Sequence, residues 1–327
     1  MKIGKVSENV LKRTILKGIR NTREEVLVGA GPGEDCAVLE LKEDEVFVTS
    51  TDPITGTATD IGRLAVHVAV NDLAAQGAEP IGLLTTALLP EDYKESRLKI
   101  IMEQYKETCA SLGIQPLGGH TEVTRAVNRP ILSVTGIGKA KKNRLTNTSN
   151  AKPGMDIIIT KWVGLEGTSI LAKEKEEELL TRYPRSLVEE AKSFDAFLSV
   201  LPESKVAVRN GAVAMHDITE GGVFGALWEL SVSAGVGIEV DLKKIPIRQE
   251  TVEVCEFYDL NPYCLISSGS MLIVAENGYD CVKALEEEGI HAVVIGKTTD
   301  NNDKAVLNEG EKRFLEAPKP DELYKIL

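Results

Sequence analysis

The sequence has little cysteine, and what it has is scattered. The five cysteines are Cys36, Cys109, Cys255, Cys264 and Cys281. No two of them form a CxxC pair and their number is odd, so neither a thiolate zinc site nor a disulfide framework is expected. The pattern favours buried free thiols.

Long apolar runs and an excess of positive charge are also missing. No stretch reaches the ~18–20 consecutive apolar residues that cross a bilayer. Residues 1–20 predict a basic amphipathic helix and lack the apolar segment of a secretory signal. The net charge of −12 argues against a nucleic-acid binder, which usually carries a basic face. We therefore expect a cytoplasmic protein with no membrane or nucleic-acid partner.

The 327 residues, 43% of them hydrophobic, suffice for two domains. In the first half the apolar pattern predicts strands at 45–54, 80–90 and 130–140, and helices at 60–80 and 93–113. The polar, turn-rich stretch 141–154 predicts the boundary between domains 1–148 and 149–327. The second half predicts a strand–loop–helix unit that begins with 156–164, strands at 270–276, 291–297 and 304–309, and helices at 223–235 and 279–289. Both halves therefore have an α/β or α+β pattern.

Five segments share one character, a carboxylate beside glycines or hydroxyls at the edge of an apolar element. They are GAGPGEDCAVLEL (29–41), TSTDPITG (49–56), NDLAAQGAEP (71–80), GGHTEV (118–123) and HDITEGGVFGAL (216–227). Carboxylate oxygens suit magnesium, which takes its remaining ligands from water and substrate phosphates. Glycines allow phosphate oxygens to reach backbone N–H groups, and a Gly-Gly pair that opens a helix adds the positive end of its dipole.

Each segment also has an ordinary explanation. An aspartate at a strand end is usually a turn former or cap, and a Gly-Gly pair is usually a turn. His216 beside Asp217 is compatible with a catalytic base or with a cap. Asn71 and Asp72 lie in an apolar helix, where they need partners if they are buried. The coincidence of five such segments in one chain favours a magnesium and phosphate site.

In this order the segments resemble the aminoimidazole ribonucleotide synthase-like (PurM-like) superfamily. That group includes thiamine-monophosphate kinase, selenophosphate synthetase and the carbamoyl-dehydrating hydrogenase maturation factor. NDLAAQGAEP is the most specific match, and KPGMDIIITKWVGLEGTSILA (152–172) is similar to the hydrogenase maturation branch. The resemblance covers nearly the whole chain. It implies an α/β N-terminal domain whose sheet pairs with that of a second subunit in a homodimer, and an α+β C-terminal domain.

The resemblance also implies the cofactors ATP and Mg²⁺ and a set of site residues. The implied metal-site residues are Asp35, Thr51, Asp52, Asn71, Asp72, Glu122 and Asp217, the last approaching from the second domain. The implied nucleotide-binding residues are Gly33, Gly118, Gly119, His120, Thr121, Thr219, Gly221 and Gly222. The implied catalytic residues are Asp72, Asp217 and His120.

Two features depart from the family pattern. His120 stands where the kinase and maturation branches carry a metal-binding aspartate, and Glu122 is the candidate to replace that carboxylate. The printed sequence ends in PDELYKIL, without the terminal cysteine that receives the carbamoyl group in the maturation branch. We predict an ATP- and Mg²⁺-dependent enzyme that activates an amide, carbonyl or phosphate oxygen of a small-molecule or protein-borne acceptor. The alternative is a non-catalytic ATP-binding partner or sensor protein.

Overall fold

The computed structural model describes residues 3–31, 36–55 and 60–327. The chain divides into two compact units, Met1–Leu73 with Ala78–Asn143, and Ala74–Gly77 with Arg144–Leu327. Two predicted site residues, Gly33 and Asp35, lie outside the described residues.

The first unit contains a five-stranded sheet and a two-stranded hairpin. The strands of the unit are β1 (Gly4–Lys5), β2 (Val26–Val28), β3 (Val38–Leu39), β4 (Glu45–Ile54), β5 (Glu79–Leu89), β6 (Gln115–Val123) and β7 (Ile131–Lys141). Its helices are α1 (Glu8–Val10) with a π-helical continuation at Leu11–Ile15, α2 (Ile61–Ala75) and α3 (Glu95–Leu112). The sheet order is β1-β6-β5-β7-β4, and β2 and β3 form a separate hairpin.

Helices α2 and α3 pack on one face of this sheet. A Cβ atom on Gly136 of β7 would lie 2.9 Å from the Ala69 carbonyl of α2, so the glycine allows the helix to approach the strand closely. From β5 to α3, the Thr85 hydroxyl donates to the Tyr105 hydroxyl at 3.0 Å. The opposite face carries Thr51 and His120, and the β2–β3 hairpin covers part of it, where Val26 packs in one cluster with Leu84 and Ile137. We call this face the open face.

The second unit contains a seven-stranded sheet. Its strands are β8 (Asp156–Thr160), β9 (Ala212–Asp217), β10 (Gly237–Asp241), β11 (Met271–Ala275), β12 (Ala292–Thr299), β13 (Lys304–Asn308) and β14 (Glu311–Phe314). Its helices are α4 (Leu165–Glu174), α5 (Glu176–Leu179), α6 (Arg185–Lys192), α7 (Leu201–Arg209), α8 (Gly222–Ala234), α9 (Gln249–Tyr258) and α10 (Gly278–Glu287). Short 3₁₀ turns lie at Thr148–Asn150, Ser193–Phe197, Leu242–Lys244, Pro262–Cys264 and Glu322–Lys325.

The strand order brings three loops of the second unit to one sheet edge. The order is β14-β13-β10-β12-β8-β11-β9, and β11 is antiparallel to both β8 and β9. The carboxyl ends of β8 and β9 therefore lie at the same edge as the start of β11. The core beneath includes Ile157, Leu227 and Leu272, all fully buried.

Most of the predicted elements are confirmed. The strands predicted at 45–54, 80–90 and 130–140 are β4, β5 and β7, and α2 and α3 end before Gly77 and Gly113, both left-handed at φ +70° and +68°. Two predictions are wrong. The helix predicted over residues 1–20 is confined to Glu8–Ile15, and the GGHTEV segment, predicted as a turn, lies within strand β6. No helix of the described residues is long and apolar enough to cross a membrane.

Candidate functional site

A strand and a helix of the first unit bring two predicted carboxylates together. Asp52 lies near the end of β4 and Asp72 on the last turn of α2. The Ser50 hydroxyl is within hydrogen-bonding range of both, at 3.3 Å from Asp52 Oδ2 and in a short contact with Asp72 Oδ2. Both aspartates are half-buried. The result is an oxygen-rich site with two carboxylates and one hydroxyl.

The two residues predicted to support this pair have different positions. Asn71 is fully buried on α2, beside Asp72 in the chain. Thr51 lies on the open face, because neighbouring side chains on a strand point to opposite sides. Its hydroxyl accepts from the Thr135 hydroxyl at 2.9 Å. The structure therefore separates Thr51 from the Asp52 and Asp72 carboxylates.

Strand β6 carries the second group of predicted residues. His120 Nε2 and Glu122 Oε2 are 3.1 Å apart on the open face, and Thr121 is buried on the other side. Gly118, Gly119, His120 and Thr121 all line a cavity of about 410 Å³, together with residues of the N-terminal helix and the β2–β3 hairpin. The size falls in the range of small-molecule sites.

The two groups lie apart within one chain. Asp52 pairs with Val134, Val134 with Thr85, and Thr85 with Gly119. Asp52 and Gly119 are therefore three strand spacings apart, about 14 Å along the sheet. Glu122 lies on the open face, whereas the Asp52 side chain points to the other face of the sheet. One cation therefore cannot be held by Glu122 and by the Asp52–Asp72 pair of the same chain.

The DITEGG segment of the second unit follows strand β9. Asp217 ends the strand and is buried, and Thr219 is half-buried. Gly221 and Gly222 have φ angles of +81° and +60°, which glycine adopts without strain. A Cβ atom on Gly222 would also lie 2.6 Å from the Tyr263 carbonyl oxygen. Glycine is thus required there by conformation and by space.

The backbone donors of this Gly-Gly turn are already bonded within the chain. The Gly221 N–H donates to Asp321 Oδ2 at 2.7 Å, and the Gly222 N–H donates to the Thr219 carbonyl at 3.1 Å. An anion at these two N–H groups would have to displace the Asp321 carboxylate. The two glycines therefore have a conformational role. The N–H groups that the sequence analysis assigned to a phosphate are bonded within the chain.

His216, next to Asp217, is paired with helix α8. Its Nε2 is 2.9 Å from Glu229 Oε2, and its Nδ1 is 3.9 Å from Asp217 Oδ1. Burial lowers the pKa of His216, but the hydrogen bond to Glu229 and the nearby Asp217 charge outweigh it and raise the pKa. Both acidic neighbours therefore favour the protonated form of His216.

Sequence reasoning missed three residues of these sites. Ser50 had a signal, since positions 50 and 52 share one side of a strand. Glu166 is buried in the apolar run VGLEGTS, where a lone carboxyl group needs a partner. Asp321 had no local signal, because it is 100 positions from the Gly221 N–H that it accepts from.

These features define the class of the protein. Two α/β units, the first with an acidic pair and a glycine-containing strand and the second with a buried aspartate before a Gly-Gly turn, make up a two-domain PurM-like fold. The chain belongs to the AIR synthase related protein family. The model of the family's N-terminal domain matches residues 33–140, and that of its C-terminal domain matches residues 152–308.

Individual proteins are similar over most of the chain. A protein of Methanocaldococcus jannaschii with the provisional name hydrogenase expression/formation protein is 28% identical, covering 99% of this chain and 97% of its own length. The carbamoyl dehydratase HypE of Cupriavidus necator is 28% identical, covering 74% of this chain and 69% of its own length. The crystal structure of the hydrogenase maturation protein HypE in complex with ATP superimposes with a TM-score of 0.79 at 22% identity, covering 98% and 97% of the two chains.

Proposed function

We propose that the chain is an ATP- and Mg²⁺-dependent enzyme that activates an amide, carbonyl or phosphate oxygen of its substrate by phosphoryl transfer. The observation that carries the proposal is the Asp52–Ser50–Asp72 group at the junction of β4 and α2. The similarity to carbamoyl dehydratases and to a protein crystallised with ATP supports the same chemistry. The work of the site is electrostatic, since phosphoryl transfer needs positioning and charge neutralisation.

The donor set fits magnesium held with a nucleotide. Within the described ranges, no group of three or more His, Cys, Asp or Glu side chains could hold a metal ion alone. Magnesium typically binds one or two carboxylates and takes other ligands from water and substrate phosphates. Asp52 and Asp72 would supply those carboxylates, and the ion would neutralise charge on the transferred phosphoryl group. We also assign Asp217 and Asp35 to metal binding, from the family pattern.

The nucleotide would use the glycine-containing strand. Gly118 and Gly119 leave the wall of the 410 Å³ cavity free of side chains at two positions, and Thr121 and His120 add polar groups. A cavity of this size accommodates a nucleoside. We assign this part of residues 1–148 to ATP binding, and residues 149–327 to the second domain of the same enzyme.

The acceptor would carry an amide-like oxygen. The name of the carbamoyl dehydratase relatives describes removal of water from a carbamoyl group. In the step that we propose for this chain, the acceptor oxygen attacks the γ-phosphorus of ATP and ADP leaves. The similarity over most of the chain supports an acceptor of this class, as a small molecule or attached to a protein in hydrogenase maturation.

The functional unit would be a cytoplasmic homodimer. On the open face, Phe47 is 52% exposed, and the neighbouring Thr49 and Thr51 of β4 are also exposed. A second sheet packed on this face would cover these residues. It would also allow residues of the open face, such as His120 and Glu122, to act in a site with a partner subunit.

A non-catalytic ATP-binding protein is the alternative, and one observation favours it. The His120 ring is held by Glu122 at 3.1 Å, at a position where related enzymes carry a metal-binding carboxylate. Calorimetry with adenylyl imidodiphosphate and Mg²⁺, together with a phosphate-release assay, separates the two functions. The enzyme predicts binding, and phosphate release that falls by about 10²–10³-fold in Asp72→Asn. Binding without release across a panel of carbamoyl and amide substrates would support the alternative.

A further inference from the structure

The first turn of α4 contains a buried carboxyl group that pairs with no cation in the described part of the chain. Glu166 is 4% exposed, and its Oε2 accepts the N–H of Ser268 at 3.3 Å. Among the residues that the structure describes, no lysine, arginine or histidine pairs with it. Burial raises the pKa of Glu166 to about 7, and the Asp321 and Glu220 carboxylates add to this effect. Glu166 is therefore about half protonated at pH 7 and mostly protonated at pH 6.

The partner of Glu166 belongs to a segment that joins two loops. We call residues 267–270, with the sequence SSGS, the serine segment. Ser267 Oγ accepts the Gly164 N–H at 2.8 Å, and Ser270 Oγ donates to the Trp162 carbonyl. These bonds fix the serine segment to the loop that follows β8.

On its other side the serine segment holds the loop that follows β9. The Ile218 N–H donates to the Ser270 carbonyl at 3.0 Å, and Asp217 pairs with Met271 in the strand register. The position of the Asp217 backbone therefore depends on where the serine segment lies. Glu166 holds that segment at Ser268, between the two sets of bonds.

Two acidic groups, Asp321 and Glu220, act on Glu166 and raise its pKa. Asp321 is buried and accepts the Gly221 N–H at 2.7 Å and the Leu323 N–H at 2.9 Å. Glu220 accepts the Tyr324 hydroxyl at 2.5 Å. A charge on Glu166 would repel both carboxylates, one of which holds the Gly-Gly turn.

We propose that Glu166 is a positioning residue for Asp217. Its carboxyl group, bonded to Ser268, fixes the serine segment and through it the end of β9 and the Gly-Gly turn. The consequence for nucleotide binding rests on the proposed function, in which Asp217 is a metal-binding carboxylate. The geometry itself does not depend on that assignment.

Hydrogen exchange at about pH 6 and pH 8 tests the geometric part. The variants are Glu166→Ala, the isosteric and uncharged Glu166→Gln, and the control Glu239→Gln, whose side chain is exposed on β10. After correction for intrinsic rates, peptides that contain 217–222 and 266–270 should exchange about tenfold faster in the Ala variant at both pH values. In the wild type and in the control they should exchange faster only at the higher pH, and in the Gln variant at neither.

Nucleotide affinity gives the second readout. With Mg²⁺ and adenylyl imidodiphosphate, the Ala variant should bind about tenfold more weakly, and the Gln variant should bind like the wild type at pH 6 but without its weakening at pH 8. Wild-type exchange rates in the Ala variant would overturn the inference. If the Ala variant does not fold, a Gln variant with the wild-type pH dependence of exchange would overturn it. A wild type that binds no nucleotide would overturn the proposed function, while exchange still decides the role of Glu166.

Discussion

The Ser50 hydroxyl lies between the Asp52 and Asp72 carboxylates and contacts both. A hydroxyl has one proton to donate, so at any moment it donates to one of the two carboxylates. Its contacts to Asp52 and Asp72 orient both groups. Orientation of this kind is what a partner of metal ligands provides.

Replacing Ser50 by alanine should therefore weaken magnesium binding. We expect the Mg²⁺ concentration for half-maximal nucleotide binding to rise about 10- to 100-fold in Ser50→Ala, measured by titrating Mg²⁺ at fixed nucleotide. The control is Ser111→Ala, whose hydroxyl donates to the Thr108 carbonyl at an exposed helix end. Equal Mg²⁺ dependence in the two variants would remove Ser50 from the site.

Glu166 should make stability depend on pH. Its pKa is about 7 in the folded chain against an ordinary value of 4.5. Because the pKa is higher in the folded chain, the contribution of Glu166 to the free energy of unfolding is fully present below pH 4.5. It is lost as the pH rises towards 7, by about 3 kcal/mol in total. In Glu166→Gln the thermal unfolding temperature should depend less on pH over this window, and the variant should be more stable than the wild type at pH 8. Parallel pH profiles for the two proteins would show that Glu166 ionises normally.

Single residues were predictable where chemistry and alternation act locally. Asp52 and Asp72 were predicted as metal ligands, and the structure brings them together. Thr51 was predicted beside them, but adjacent strand residues face opposite sides, so the Thr51 hydroxyl bonds Thr135 on the open face. The role of Glu122 could not be assigned from sequence, because it depends on how many strands separate it from Asp52.

Among the elements, the pairing of strand β6 with β5 depends on Gly119. The Gly118-Gly119 pair was predicted to form a turn. Gly119 has φ +143°, and a Cβ atom there would lie 1.9 Å from the Thr85 carbonyl oxygen of β5. Only glycine allows the two parallel strands to pair at this point. The polar cluster GGHTEV is therefore extended, with His120 and Glu122 on one side and Thr121 on the other.

Substituting Gly119 should break this pairing. We expect Gly119→Ala to cost at least about 3 kcal/mol of unfolding free energy, because strand β6 must move away from β5. The control is Gly113→Ala at the end of α3, where φ is also positive but no atom lies within 4 Å of the new Cβ. It should cost only the conformational strain, about 1–2 kcal/mol. Equal losses in denaturant unfolding would contradict the steric account.

Element positions were mostly predictable because apolar periodicity and terminal glycines are local signals. The helices α2 and α3 end before Gly77 and Gly113, as predicted, because each glycine adopts the left-handed conformation. The turn predicted at the Gly118-Gly119 pair is wrong, because these residues lie within strand β6 and the signal there is not local. Gly119 serves a close approach between two strands that are far apart in sequence, which no local pattern reveals.

For the whole molecule, the open face of the first sheet is the feature that calls for a partner. We expect a homodimer in solution and expect Phe47→Asp to shift it towards the monomer, because a charge would be buried without a partner. Light scattering after size exclusion measures this. Ile100 is similarly exposed, at 54% against 52% for Phe47, but lies on α3, which packs on the other face of the sheet, so Ile100→Asp should remain dimeric. A monomeric wild type would contradict the dimer proposal.

Contacts between distant parts of the chain were beyond sequence reasoning. The bond between Asp321 and the Gly221 N–H joins the end of the chain to a turn in the middle of the second unit. Sequence reasoning assigned that N–H to a phosphate because it could not place the Asp321 carboxylate. The family pattern gave the two-domain fold, but the partners of individual groups required the structure.

The central claim is that Asp52 and Asp72 together bind the cation of a metal–nucleotide complex. The most direct measurement is a crystal structure with adenylyl imidodiphosphate and Mn²⁺ in place of Mg²⁺, in which anomalous scattering locates the ion. The account predicts a peak about 2.1 Å from a carboxylate oxygen of each of these two aspartates. A peak at His120 and Glu122 alone, or no peak beside Asp52 and Asp72 with nucleotide bound, would contradict it.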